Sequence, residues 1–293
     1  VANGVHTPAV QGLSRIVLGV YSVGVLAVLL IMASAAAAPP SYPPPTLDAR
    51  PFVSKANWRV YAVEYARSKG VATKRLVAGG APKGQVDMSW HFYVAVGHGR
   101  VVMVDAGSDH FAKKGYLTPK WSIARSRTVV ASLAQLGLKP VEVTDVVLTH
   151  FHWDHVGGVA SLPKARVHML PKEWARVSKN LRGPVEAGKR YVGTGSLPPG
   201  FLVTEAGRHT RHHAIVEVAC VPKPIVVAGD GIYLWDNLRL KRPVSQNTDP
   251  KRSVREMQAV AKRVGQARVI PGHDPAVFTR YPSGVDGVAL ICR

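Results

Sequence analysis

Short apolar runs, each closed by a turn or a polar cluster, organise the chain from residue 90 onward. Trp90–Val96 is mainly apolar and suits a strand, Gly97–Arg100 a turn, and Val101–Val104 a second strand, so this stretch predicts a hairpin. Ile123, Val130, Leu133 and Leu136 share a face at helical spacing, which predicts a helix over 123–136 stopped by Gly137. Further strands are predicted over 143–148, 167–170, 216–219, 224–228 and 267–270. A helix is expected to open at Pro171-Lys172-Glu173, and another to run over 253–264 with Val254, Met257, Val260 and Ala261 on one side. Mixed strands and helices imply a layered architecture.

The N-terminal pattern is different. Arg15 precedes an uncharged apolar run, Ile16–Met32, followed by the small residues Ala33–Ala38. A basic start, an apolar stretch and an Ala-rich boundary predict an export signal or a retained membrane anchor over 1–38, with possible membrane attachment through 16–38. Pro39–Pro45 cannot continue a helix, so 39–49 reads as a Pro-rich spacer. Residues 50–293 then form one folded domain, exported to the periplasm or beyond, or anchored if the apolar segment is kept.

The 293 residues carry 38 basic and 18 acidic side chains, a formal charge of +20. Such a balance suits an anionic surface. The basic residues are scattered, however, with only short clusters such as Arg239-Leu240-Lys241-Arg242, and no base-reading motif or arginine-rich arm argues for nucleic acid. Cys220 and Cys292 are too few for a disulfide scaffold. Export permits a bond between them, but the reading favours two separate thiols.

The chemistry is concentrated at Thr149-His150-Phe151-His152-Trp153-Asp154-His155, directly after a predicted strand. Three imidazoles and a carboxylate so close together suit a metal ion, and zinc is the default for nitrogen and oxygen ligands. Iron, manganese or cobalt fit the same donors. Other candidates also follow or adjoin short strands: His209 within Arg208-His209-Thr210-Arg211-His212-His213, Asp230 after Val226-Val227-Ala228-Gly229, and His273 in Pro271-Gly272-His273-Asp274. Loops held by strands can bring such ligands together. His91 reads as structural, and His110 and His168 have no evident role.

These pieces, with Val104-Asp105-Ala106-Gly107 and Val156-Gly157-Gly158, resemble the metallo-β-lactamase fold hydrolases. The resemblance implies an α+β fold, an αββα four-layer sandwich, over a metallo-hydrolase domain at 50–293. It also implies two metal ions per chain. His150, His152 and His209 would hold one, Asp154, His155 and His273 the other, and Asp230 would bridge them. Asp105 would accept a hydrogen bond from a ligand imidazole. The chain departs from the family's Gly-His-Thr-x-Gly-His at Arg208 and His212, which stand where glycines are usual.

A narrower resemblance, to N-acyl-homoserine lactonase-like proteins, rests on Asp230-Gly231-Ile232-Tyr233 and on 269–275 with Phe278 and Tyr281-Pro282. It implies opening of a lactone ring by a metal-bridging hydroxide, with Asp154 and Tyr233 as catalytic groups and a small-molecule ester or lactone as substrate. Apolar residues near Trp90, Phe92 or Trp235 would take the acyl chain. Related lactonases suggest a homodimer. The alternatives are an exported thioesterase resembling glyoxalase II, another ester hydrolase, and a non-catalytic metal-binding protein on the same fold. A β-lactamase fits less well, because those with this motif usually lack a residue like Asp230.

Overall fold

A computed structural model describes residues 58–112 and 121–293. The expected leader over 1–38, the spacer over 39–49 and the first residues of the 50–293 domain lie outside the described residues. In chain order the elements are β1 (Arg59–Ala72), β2 (Gln85–Gly97), β3 (Arg100–Val104), β4 (Ile123–Ser126), α1 (Val129–Ala134), β5 (Asp145–Val147), α2 (Trp153–Val156), β6 (Arg166–His168), α3 (Pro171–Trp174), α4 (Lys179–Ala187), β7 (Phe201–Glu205), β8 (Ala214–Val218), β9 (Ile225–Val227), α5 (Trp235–Arg239), α6 (Pro250–Val264), β10 (Val269–Ile270), α7 (Ala276–Arg280) and β11 (Val288–Cys292). Among the described residues no helix is long and apolar enough to cross a membrane.

Two mixed sheets carry the fold. The larger runs β11-β1-β2-β3-β5-β6, with β4 also paired to β1, and the smaller runs β10-β9-β8-β7. Pairing is antiparallel through β11, β1, β2 and β3, and parallel from β3 to β5 and β6. Strand alternation sorts the side chains into two cores. Tyr61, Val63, Tyr65, Trp90, Phe92, Val94, Met103 and Val146 turn to one side, where Val129, Leu133, Trp174 and Val185 from helices cover them. Val60, Ala62, Tyr93, Ala95, Val102, Val104 and Val147 turn to the other, against Val216, Val218, Ile225, Val227 and Ile270 of the smaller sheet. Both sheets with helices outside them make the αββα sandwich, as expected.

The outer layer follows local rules. In α6, Met257, Ala261 and Val264 recur at i, i+4 and i+7 and are buried in the inter-sheet core. The helix starts a turn before the expected Ser253, because the Asp249 side chain accepts the Arg252 N–H at 3.0 Å and Pro250 occupies the first helical position. The helix expected over 123–136 is corrected. Ile123–Ser126 is strand β4, paired to the second half of β1 at Ala66↔Ser126 and Arg67↔Arg125. Only 129–134 is helical, begun by Thr128, whose hydroxyl accepts the Ala131 N–H. The apparent helical period ran across that cap.

Cys220 and Cys292 form a disulfide, which corrects the expectation of separate thiols. Cys292 ends edge strand β11 of the larger sheet, and Cys220 follows β8 of the smaller one. The Trp58 N–H bonds to Ala219 O while Val60 pairs with Cys292, so the entry to β1 draws both partners together. The Cα atoms are 6.2 Å apart, within bridging range. The bond therefore ties the two sheets at one edge.

Candidate metal centre

Every candidate ligand leaves the end of a strand or a loop between strands at one edge of the sandwich. Asp105 follows β3, the run 150–155 follows β5, His209 lies between β7 and β8, Asp230 follows β9, and His273 follows β10. Close backbone packing holds the loops. A Cβ on Gly158 would lie 2.1 Å from Ala106 O, so the glycine after the histidine motif lets α2 sit on the Asp105 turn. A Cβ on Gly272 would lie 2.5 Å from Gly229 O, which lets the His273 turn sit on the Asp230 turn.

Two groups of donors result, His150, His152, His209 with Asp230, and Asp154, His155, His273 with Asp230. Within each group the donor atoms lie within 4.8 Å of one another. Asp230 belongs to both through different oxygens. Its Oδ2 is 3.2 Å from His209 Nε2 and 3.6 Å from His150 Nε2. Its Oδ1 is 2.9 Å from His273 Nε2 and 3.0 Å from His155 Nε2. Asp154 Oδ2 is 3.2 Å from His155 Nε2.

The other face of each ring explains which nitrogen points inward. His155 Nδ1 donates to Asp105 Oδ2 at 2.7 Å, His209 Nδ1 to Gln246 O at 2.8 Å and His273 Nδ1 to Ser89 O at 2.8 Å. His150 Nδ1 meets the Thr149 hydroxyl at 3.0 Å. All four present Nε2 to the centre, whereas His152 presents Nδ1, 2.9 Å from His209 Nε2. Asp105 also accepts the Thr149 N–H at 2.8 Å and the Thr149 hydroxyl. Its backbone is left-handed, with φ +59°.

These donors fit metal ions. His150 Nε2, His155 Nε2 and Asp230 Oδ1 are buried and make no hydrogen bond. Buried polar atoms without partners are rare in folded proteins, and cations between the clusters would satisfy all three. The electrostatics agree. Burial foremost pushes the His150, His152 and His209 imidazoles below their ordinary pKa. Burial also works against charge on His155 and His273, yet Asp230 and Asp154, joined at His155 by Asp105, hold both above the usual range. Burial would raise Asp230, but the imidazoles of His155, His273, His209 and His150 hold it well below. The site is thus built for positive charge at its centre.

Tyr233 is buried with its hydroxyl 3.4 Å from His209 Nδ1. Burial, then Asp230 and Asp154, keep the phenol well above its ordinary pKa, so it stays protonated. Trp90 packs 5.1 Å from the His273 ring and 5.7 Å from that of Trp153, centroid to centroid. Trp153 is exposed beside the histidine cluster. Phe92 and Trp235 do not join them. Phe92 is wholly buried in the core stacked on Tyr65, and Trp235 donates to Val269 O at 2.9 Å under the Arg280 guanidinium. Their expected place along the acyl chain is therefore corrected for packing.

His91 is structural, as expected, donating or accepting among Ser89, Tyr93 and Pro271 O, and burial pushes it down to about 3. His168 pairs with buried Asp145 at 2.9 Å. His213 bonds Ala206 O and accepts the Gly231 N–H, so it braces the Asp230 turn. Arg208 adopts the left-handed backbone that glycine favours, with φ +56°. Its guanidinium grips Glu256 at 2.7 Å and Glu205 at 2.7 Å. Three contributors went unread in the sequence. Tyr65 donates to Asp154 O at 3.0 Å from β1, a strand the pattern did not announce. Gln246 fixes His209 through a backbone carbonyl, which leaves no residue signature. Glu173, visible only as a helix-start residue, turns inward.

Comparison with known proteins agrees with this picture. The family model of the metallo-beta-lactamase superfamily matches residues 87–273, and the chain belongs to that superfamily. A probable metallo-hydrolase of Mycobacterium tuberculosis is 27% identical over 183 residues, a match that takes in 52% of this chain and only 58% of that protein. An N-acyl homoserine lactonase, AttM, of Rhizobium johnstonii is 25% identical over 183 residues, covering 54% of this chain and 68% of that protein. Among solved structures, a mutant of Bacillus thuringiensis AiiA with N-decanoyl-L-homoserine bound at its active site superposes with a TM-score of 0.62 at 16% identity, over 78% of this chain and 97% of that one. At that identity the likeness bears on the fold. On that fold the two donor groups have the composition and closeness that two metal ions would need.

Proposed function

We propose that this chain opens the ring of N-acyl homoserine lactones with two bound metal ions, zinc by donor type. The observation that carries the two-metal part is Asp230, whose two oxygens face two separate histidine clusters. A pair of divalent cations there would lower the pKa of a coordinated water and polarise a carbonyl oxygen. The residues of the chain then divide the work. Asp154 lies at the inner face of the second cluster, where it can take the proton of the attacking water and return it to the ring oxygen as the C–O bond breaks. Tyr233 keeps its proton, and because His209 Nδ1 already donates to Gln246 O, the phenol can donate to the carbonyl oxygen as negative charge develops there. Exposed Trp153, backed by buried Trp90, offers an apolar surface for an acyl chain.

Tyr233 and the lactonase relatives favour a lactone over a thioester, which would use the same ligands. The Cys220–Cys292 bond supports an oxidising, exported location. The decisive experiment loads the protein with zinc and compares acyl-homoserine lactones, S-acyl glutathione, a cephalosporin and an aryl phosphodiester. Lactone opening as the best reaction is expected. Rapid thioester cleavage with no lactone turnover would reject the proposal.

A further inference from the structure

Glu173 is a fully buried carboxylate on α3, and among the described residues no lysine, arginine or histidine forms an ion pair with it. A lone buried charge is costly, so its partners have to matter. Its Oε1 accepts the Thr210 hydroxyl at 2.8 Å and the His212 N–H at 3.0 Å. Its Oε2 accepts the Phe151 N–H at 3.3 Å. Phe151 stands between His150 and His152, and Thr210 follows His209. One carboxylate therefore ties the loop after β5 of the larger sheet to the loop between β7 and β8 of the smaller sheet. Between them these two loops carry all three imidazoles of the first cluster. The backbone bond from Ala214 N to Thr149 O joins the roots of the two loops, but it lies outside the stretches that hold the imidazoles.

We propose that Glu173 is a positioning residue for the three-histidine cluster. It sets His150 and His152 against His209, and its unpaired negative charge favours a cation held among them. It touches no ligand nitrogen itself. The inference rests on the two-metal reading of the site and adds a residue to it. It also gives the buried charge a counterpart, which no ion pair among the described residues supplies.

The test is Glu173→Gln in the full chain. A glutamine keeps one oxygen for Thr210 and His212 but turns an amide N–H2 toward the Phe151 N–H, so the link between loops is broken with little change in volume. Metal-free protein is titrated with cobalt against a chromophoric chelator, and the visible cobalt bands are recorded. Wild type is expected to bind two ions. Glu173→Gln is expected to keep one tight site, to lose about 10- to 100-fold in affinity at the other, and to show an altered cobalt spectrum. Lys172→Gln, an exposed neighbour, should match wild type. Two ions bound by a folded Glu173→Gln protein with unchanged affinity and spectrum would overturn the inference alone. Fewer than two ions in wild type would remove the two-metal reading and this inference with it. If the Gln variant does not fold, Thr210→Val decides. It should weaken one site several-fold with altered bands, and unchanged affinity and bands would reject the role.

Discussion

Replacing Asp105 by Asn tests whether the ligand tautomers are set from outside the centre. The substitution keeps shape and removes one acceptor. In the native arrangement Oδ1 accepts the Thr149 N–H at 2.8 Å and Oδ2 accepts His155 Nδ1 at 2.7 Å. An Asn in the same pose presents N–H2 to His155 Nδ1–H, donor against donor. The imidazole escapes only by moving its proton to Nε2, the atom that faces Asp230 and Asp154. That nitrogen is then lost as a ligand. A flipped amide rescues His155 but leaves the buried Thr149 N–H facing a donor, a cost of about 1–3 kcal/mol. Loss of such an orienting partner weakens metal binding by roughly 10- to 100-fold, or about 1.4–2.8 kcal/mol. The assay is chelator competition for the second ion, with urea unfolding of the metal-free protein alongside. Affinity should fall, stability should fall, or both in part. A variant that matches wild type in both would mean that Asp105 neither orients His155 nor holds Thr149.

Three further outcomes are expected. Tyr233→Phe should lower lactone turnover by about 100-fold, the effect of losing one donor to a developing oxyanion, while metal content by elemental analysis stays at two; an unchanged rate removes Tyr233 from the reaction. The disulfide closes a span of 72 residues, so Cys220→Ser with Cys292→Ser should lower unfolding free energy in urea by about 2–4 kcal/mol, and a change below about 0.5 kcal/mol would show that it adds nothing to sheet pairing. Burial would raise the Asp145 carboxyl, yet His168, Thr144, Arg166 and Arg100 hold it below the usual range. Its contribution is therefore present above the unfolded carboxylate pKa of about 3.9 and fades as pH falls below that value. Asp145→Asn should cost stability at pH 7 and flatten the acid limb of a stability-against-pH curve, and parallel curves for the two proteins would refute this.

What could be read from the letters alone follows from where each signal lies. The ligand runs were legible because their chemistry is dense and local: His150, His152, Asp154 and His155 fall within six residues, and Asp230 and His273 each close an apolar run. Of the residues that orient them only Asp105 was expected, through the family resemblance; the others come from far along the chain. Ser89 O reaches His273 across 184 residues, and Gln246 O reaches His209 across 37, both through carbonyls that any side chain could accompany. Glu173 shows the same limit from the other side. Its place after Pro171 marks a helix start, where an acidic residue is ordinary, and nothing local says that α3 turns it inward to meet Phe151 and Thr210. The disulfide is the sharpest case, since Cys220 and Cys292 have no shared motif and meet only because β11 returns beside β1. The chain thus encodes its donors locally and their orientation by topology. Substitutions of the orienting residues should therefore leave the histidine motif intact while altering which nitrogen it offers and how tightly a cation is held.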